Sequence, residues 1–79
     1  MKITLKYYGE ISEILDKKEE TVSVPIKTSL YDLKKQFLAK SVKLNSIAIN
    51  IAVNNELTDQ DISLKNKDII SFLPPFSGG

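Results

Sequence analysis

Ser29-Leu30-Tyr31-Asp32-Leu33-Lys34-Lys35-Gln36-Phe37-Leu38-Ala39-Lys40 is the stretch on which the fold turns. Leu30, Leu33, Phe37 and Leu38 share one face at helical spacing, while Lys34 and Lys35 fall on the polar side, the pattern of a helix that packs by a single stripe. Ser29 can cap the first turn with its side-chain oxygen, and Asp32, three positions on, can accept from the Ser29 backbone N–H in return. Lys40 places positive charge near the C-terminal end, where it complements the helix dipole. The spacing predicts one main helix over about residues 30–40.

Towards the N-terminus, Ile3, Leu5 and Tyr7 alternate with Lys2, Thr4, Lys6 and Tyr8, the period of a strand with one buried face; Gly9 ends it. Ile11, Ile14 and Leu15 predict a short helix within Glu10 to Lys17, and the cluster Lys17-Lys18-Glu19-Glu20 reads as a solvated turn. Val22, Val24 and Ile26 alternate with Thr21, Ser23 and Pro25, a second strand close enough to the first to pair antiparallel. Pro25 lacks an N–H and belongs at an edge or at the strand's end.

Beyond the main helix, Ile47, Ile49, Ile51 and Val53 alternate with Ala48, Asn50 and Ala52, a strand whose Ile/Val set faces the core and which stops at the turn-tolerant pair Asn54-Asn55. Leu64 is a single anchor in the loop that turns through Asn66-Lys67-Asp68 into a last strand, Ile69 to Leu73. That strand is apolar on both faces. Ile70 and Phe72 belong to the core, whereas Ile69 and Leu73, on the other side around Ser71, need a separate cover. Strand, short helix, strand, long helix, strand, loop, strand gives an α+β fold, a mixed sheet wrapped round one main helix.

A chain of 79 residues makes one domain that buries only about 60–65% of its unfolded surface. It has no cysteine, so neither disulfides nor thiolate metal sites support it. Eleven basic residues, all lysine, against ten acidic ones leave a net charge of +1, which argues against nucleic acid or an anionic membrane as a partner. Without arginine, histidine or cysteine the chain lacks the planar phosphate fork and the usual bases and nucleophiles, so catalytic side chains are not expected. Asp59 and Asp61 do not make a calcium loop, for want of the turn glycine and the closing glutamate; no bound metal is expected. No apolar run reaches membrane-spanning length, and a cytoplasmic protein is the expectation.

The chemistry-bearing feature is then Pro74-Pro75-Phe76-Ser77-Gly78-Gly79, expected as a flexible tail (74–79) on a domain of residues 1–73. From Ile69 onward no residue is charged, two prolines stiffen the exit, and two of the three glycines stand last. Six extended residues reach roughly 20 Å, and a Gly-Gly segment threads where side chains would not fit. Ile69, Leu73 and Phe76 form an apolar patch leading into the tail, the candidate partner interface.

The element order resembles the ubiquitin-like β-grasp fold. Val53-Asn54-Asn55-Glu56, Leu64-Lys65-Asn66-Lys67-Asp68 and the Pro-Pro-Phe-Ser-Gly-Gly ending resemble the small, sulfur-carrying subunits of molybdopterin synthase, and Ser29 to Leu33 resembles their Thr-x-x-Asp-Leu helix start. Lys67 departs from the family, which usually has glycine there; Asn66 is expected to take up the left-handed conformation instead. Phe76 replaces the smaller aliphatic residues frequent at its position. The resemblance implies that Gly79 is adenylated and then converted to a thiocarboxylate that donates sulfur to a cyclic pterin precursor, and that residues 74–79 enter a partner's active site.

By the same resemblance the chain binds no cofactor, ATP being used by an adenylyltransferase related to ubiquitin-activating enzymes. The implied partners are that enzyme, a sulfur donor protein and the large catalytic subunit, with two small and two large subunits forming a heterotetramer. Sulfur carriage for thiamine, cysteine or tRNA thiolation, a ubiquitin-like modifier conjugated through Gly79, and a β-grasp binding module are the alternatives.

Overall fold

The computed structural model describes residues 1–75. Its elements follow the order β1 (Lys2–Tyr7), α1 (Glu10–Leu15), β2 (Glu19–Ser23), α2 (Leu30–Leu38), a 3-10 helix (Val42–Ser46), β3 (Asn50–Val53), β4 (Glu56–Leu57) and β5 (Ile69–Leu73). The strands form one sheet in the order β2-β1-β5-β3-β4. β1 and β5 run parallel at its centre, with Leu5 opposite Ile70 and Tyr7 opposite Phe72, and the remaining pairs are antiparallel. The fold is α+β, as the alternation of strand and helix periods predicts.

Alternation sends Ile3, Leu5, Tyr7, Ile51, Ile70 and Phe72 to one face of the sheet, where they join Ile11 of α1 and Leu30, Leu33 and Phe37 of α2 in a single buried cluster. The rings of Phe37 and Phe72 stack at 3.9 Å between centroids and 3° between planes, and Tyr7 lies 6.0 Å from Phe37 and 5.9 Å from Phe72. These three rings tie the last strand to the helix and to the first strand. α2 begins with the expected capping box: Asp32 N–H donates to Ser29 Oγ at 3.2 Å, and Ser29 N–H donates to Asp32 Oδ2 at 3.1 Å. The Ser29 backbone N–H first, and then the Ser29 hydroxyl, hold the Asp32 carboxyl below its usual range.

Several expectations need correcting. The second strand stops at Ser23, and Ile26 is 78% exposed. After Pro25 the chain turns sharply, with Thr28 N–H and hydroxyl both donating to the Pro25 carbonyl and Lys27 at φ 80°, so Ile26 sits at the tip of the turn. Glu19 and Glu20 are not a solvated turn but the start of β2. α2 ends at Leu38, two residues short of the expected limit, with Ala39 as its cap.

The strand expected from Ile47 begins at Asn50, because the chain first coils through the 3-10 helix that buries Leu44 completely. Asn54 and Asn55, at φ 50° and 73°, make the tight turn expected of them, and they open the short strand β4, which the sequence reading missed. Two positive φ values in succession are what a two-residue hairpin twisted like its strands requires. At the last turn it is Lys67, at φ 74°, that is left-handed, not Asn66. Asn66 uses its side-chain oxygen to accept from Lys2 N–H at 2.8 Å, and Lys67 N–H donates to the Lys2 carbonyl at 2.7 Å, so both residues are fixed against β1.

Candidate functional site

β5 delivers the chain to its exit. Each residue of the strand has a defined neighbour: Ile69 lies beside Thr4, Ser71 between Lys6 and Ala52, and Leu73 opposite Asn50. Paired residues share a face, so the side of the sheet turned away from α2 carries Ile69, Ser71 and Leu73 along its midline. Ile69 and Leu73 are half-buried and stand outside the core cluster, as the two-faced reading of this strand requires. Ser71 and Ala52, each only 6% exposed, form a low floor across the two central positions. Lys6 bounds that floor on the β1 side, and Leu57, 61% exposed and paired with Ala52, bounds it on the β4 side. A shallow, small-residue strip bounded by a lysine on one side and a leucine on the other can be approached closely by another surface.

Beyond Leu73, Pro74 is half-buried and Pro75 exposed. The β1–β5 ladder runs one bond past the end of β1, Tyr8 N–H donating to the Phe72 carbonyl at 3.2 Å. The β1–α1 turn then crosses under Pro74 at Gly9, whose φ of 56° suits glycine. A side chain there would put its Cβ 2.9 Å from Pro74 Cγ. Among the expected site residues, Leu73, Pro74 and Pro75 lie together at the exit end of β5, whereas Ile69 shares the outer face with Leu73 but stands at the other end of the strand. Phe76, Ser77, Gly78 and Gly79 lie outside the described residues. Gly9 was missed; it served only as a strand breaker in the sequence, and nothing local announces a contact with residue 74.

The side chains with perturbed ionisation lie on the opposite, core side. Tyr7 OH donates to Glu20 Oε2 at 2.5 Å, and Glu20 also lies 3.5 Å from both Lys17 Nζ and Lys40 Nζ. The hydrogen bond from Tyr7, with help from the two lysines and against some desolvation, holds the Glu20 carboxyl below its usual range. Burial first, then the bond to Glu20 and its charge, push the Tyr7 phenol well above its ordinary value of 10.0. A phenol kept neutral against a carboxylate kept ionised joins β1, β2 and the end of α2; it is a structural clasp rather than an acid–base pair. Among the described residues no three His, Cys, Asp or Glu side chains gather as a metal site would need, and no helix is long and apolar enough to cross a membrane.

The sequence profile of the ThiS family matches residues 5–79. The chain belongs to that family. A relative from Caenorhabditis briggsae, a molybdopterin synthase sulfur carrier subunit, is 30% identical over 98% of this chain and 96% of its own length. Among solved structures, a protein of Pyrococcus furiosus provisionally assigned as molybdopterin converting factor subunit 1 superposes with a TM-score of 0.85 at 23% identity, covering 96% of this chain and 99% of that one. SAMP1 of Haloferax volcanii, a small archaeal modifier protein, matches over the whole of both chains with a TM-score of 0.82 at 19% identity. A complex of subunits 1 and 2 of the molybdopterin-converting factor of Helicobacter pylori matches at 0.67 and 24%. The fold is thus the ubiquitin-like β-grasp common to these proteins.

Proposed function

We propose that this chain is the sulfur-carrier subunit of a molybdopterin synthase and performs no side-chain catalysis itself. The observation that carries the reading is the family match, which runs through Gly79; the 30% identical sulfur carrier subunit, aligned over 98% of this chain, points the same way. A carboxylate is a poor electrophile. An adenylyltransferase activates the Gly79 carboxyl by attaching AMP from ATP with release of pyrophosphate, and hydrosulfide then displaces AMP to leave a thiocarboxylate. The tail, Pro74 to Gly79, presents that sulfur inside the large subunit, where it passes to a cyclic pterin precursor; the enclosing tunnel keeps water from reactive intermediates. A chain that carries sulfur on its main chain has no need of cysteine, and this one has none.

The outer face supports a matching role in recognition. Leu73, at the exit of the tail, and Ile69, farther back along the same face, form together with Phe76 the contact surface for the large subunit. The activating enzyme uses the same surface, so the two partners compete. Leu73→Asp weakens both complexes, because it buries an unpaired charge at each interface.

The test is incubation with the cognate activating enzyme, ATP and a sulfur source, followed by fragmentation mass spectrometry. The expected product has one terminal oxygen of Gly79 exchanged for sulfur, and it converts the pterin precursor when the large subunit is added. Deleting Gly78 and Gly79 abolishes the exchange without lowering the thermal midpoint. Sulfur on a lysine or tyrosine, or an active deletion variant, overturns the proposal. Joining of Gly79 to lysines of other proteins without pterin conversion redirects the assignment to a ubiquitin-like modifier.

A further inference from the structure

Parallel pairing of β1 and β5 brings their C-terminal ends to one edge, so the turn after β1 and the chain leaving β5 emerge side by side. At that edge Gly9 and Pro74 are in close contact: a Cβ on Gly9 would stand 2.9, 3.6 and 3.9 Å from Pro74 Cγ, Cδ and Cβ. The first of these distances is shorter than carbon atoms tolerate, and the obstacle is a ring closed onto its own backbone, which cannot swing aside as a long side chain would. Gly9 also holds φ 56° and ψ −136°, a backbone state that side-chain-bearing residues avoid. Two independent constraints, space and dihedral, converge on one residue.

We infer that Gly9 is a positioning residue for the tail: its bare α-carbon seats the Pro74 ring and so fixes the direction in which the chain leaves the domain. This deepens the sulfur-carrier reading and rests on it for its consequence, though not for the contact itself. Tyr8 N–H, donating to the Phe72 carbonyl at 3.2 Å, holds the turn in register beside the exit. Pro74 is half-buried and Pro75 exposed, so the seat is the last point at which the described chain rests on the domain.

The direction set there persists, because each residue before a proline is confined to extended backbone, which stiffens Leu73 and Pro74 in turn. The lever is long compared with the tolerance of a reaction. Residues 75 to 79 span at most roughly 17 Å, so if a partner's tunnel holds them extended, tilting the exit by about 20° would displace the carboxyl by up to about 6 Å, whereas productive geometry is lost within about 1 Å. A partner that docks on the outer face must find the terminal sulfur in one place, and the seat shortens that search.

The experiment uses the full-length chain with Gly79 chemically prepared as its thiocarboxylate, the large synthase subunit and the pterin precursor. Wild type, Gly9→Ala, Pro74→Ala and the double variant are compared. Proton NMR of the wild type is expected to show Gly9 Hα close to the Pro74 ring. Gly9→Ala is expected to slow single-turnover sulfur transfer at saturating large subunit about tenfold, while its Kd for that subunit stays within twofold, since the outer face is untouched. The double variant should be no slower than Pro74→Ala alone, because both lesions act on the same contact, whereas independent lesions would multiply.

A residue needed only for its turn would lower stability in both backgrounds and leave the transfer rate of the folded fraction unchanged, which would overturn the inference. So would a missing Gly9–Pro74 proximity, or rate effects that multiply. If the wild type itself transfers no sulfur, the sulfur-carrier reading fails separately. The proximity, and non-additive unfolding free energies across the four proteins, then decide whether Gly9 seats Pro74.

Discussion

Phe72 and Leu73 are neighbours in β5 that face opposite sides of the sheet, and their substitutions should separate folding from recognition. Phe72 has no exposed surface and stacks on both Phe37 and Tyr7. Phe72→Ala empties that position, a change that costs about 3–5 kcal/mol in a packed core. A domain of this size has about 4–12 kcal/mol in all, at roughly 0.05–0.15 kcal/mol per residue. The variant is therefore expected to be marginal or unfolded at room temperature. Phe72→Leu keeps much of the apolar volume but loses the ring contacts, about 1–1.5 kcal/mol. Leu73 is half-buried and outside the core cluster, so Leu73→Asp should cost no more than about 1 kcal/mol.

Urea unfolding followed by far-UV circular dichroism reads all three. With a slope of about 1 kcal/mol/M, Phe72→Leu should move the midpoint down by about 1 M, Leu73→Asp by less, and Phe72→Ala should abolish the cooperative transition or displace it by about 3 M or more. A Phe72→Ala midpoint within about 1 M of wild type, or a larger loss from Leu73→Asp than from Phe72→Leu, would show that the two faces of the strand are wrongly assigned.

Ser29→Ala should cost about 1 kcal/mol, since it leaves the first turn of α2 uncapped and strands Asp32; an unchanged urea midpoint would remove the capping box from the account. Lys67→Gly should raise stability by about 0.5–1 kcal/mol, because the left-handed backbone at this position penalises a side chain; destabilisation would mean that the Lys67 side chain matters more than its φ. The clasp between Tyr7 and Glu20 gives stability a slope at both ends of the pH scale. Glu20, lowered in the fold, contributes stability above its ordinary value of 4.5 that disappears as pH falls through its folded value. Tyr7, raised in the fold, contributes fully below 10.0 and loses its contribution as pH climbs beyond. Tyr7→Phe should flatten the acid limb of a thermal midpoint profile and abolish the Tyr7 part of the alkaline limb; an acid limb as steep as the wild type's would refute the coupling.

Periodicity carried the fold far. α2, β1, the buried side of β5, the capping box and the Asn54-Asn55 turn all follow from residues near each other in sequence, where spacing alone decides which side chains meet. The errors arose where a distant partner wins. Glu20 looked like part of a charged turn because its phenolic donor lies 13 residues away in β1. Lys67 is left-handed because Asn66 and Lys67 both bond to Lys2, a constraint 64 residues distant for the Asn66 side chain. Leu44 hides in a 3-10 helix with too few apolar residues to show a period, and Ile26 continues an alternation that Pro25 has already broken. At the site, the apolar second face of β5 was legible as a pattern of two residues. The Gly9–Pro74 contact was not, since it exists only once β1 and β5 lie parallel.

The central place of β5 also bears on the order in which the molecule can be made. β1 and β3 both pair with β5, one along each side, and neither touches the other in the sheet order. Until residues 69–73 have been synthesised, β1 with β2 and β3 with β4 are two separate hairpin-like fragments, each with a bare inner edge and no Phe72 to close over Phe37. Such edges recruit other strands, and long-range parallel pairing forms slowly. A nascent chain stalled before Ile69 is therefore expected to keep both edges open rather than to form a smaller version of the domain, so cooperative folding should await the arrival of a single strand.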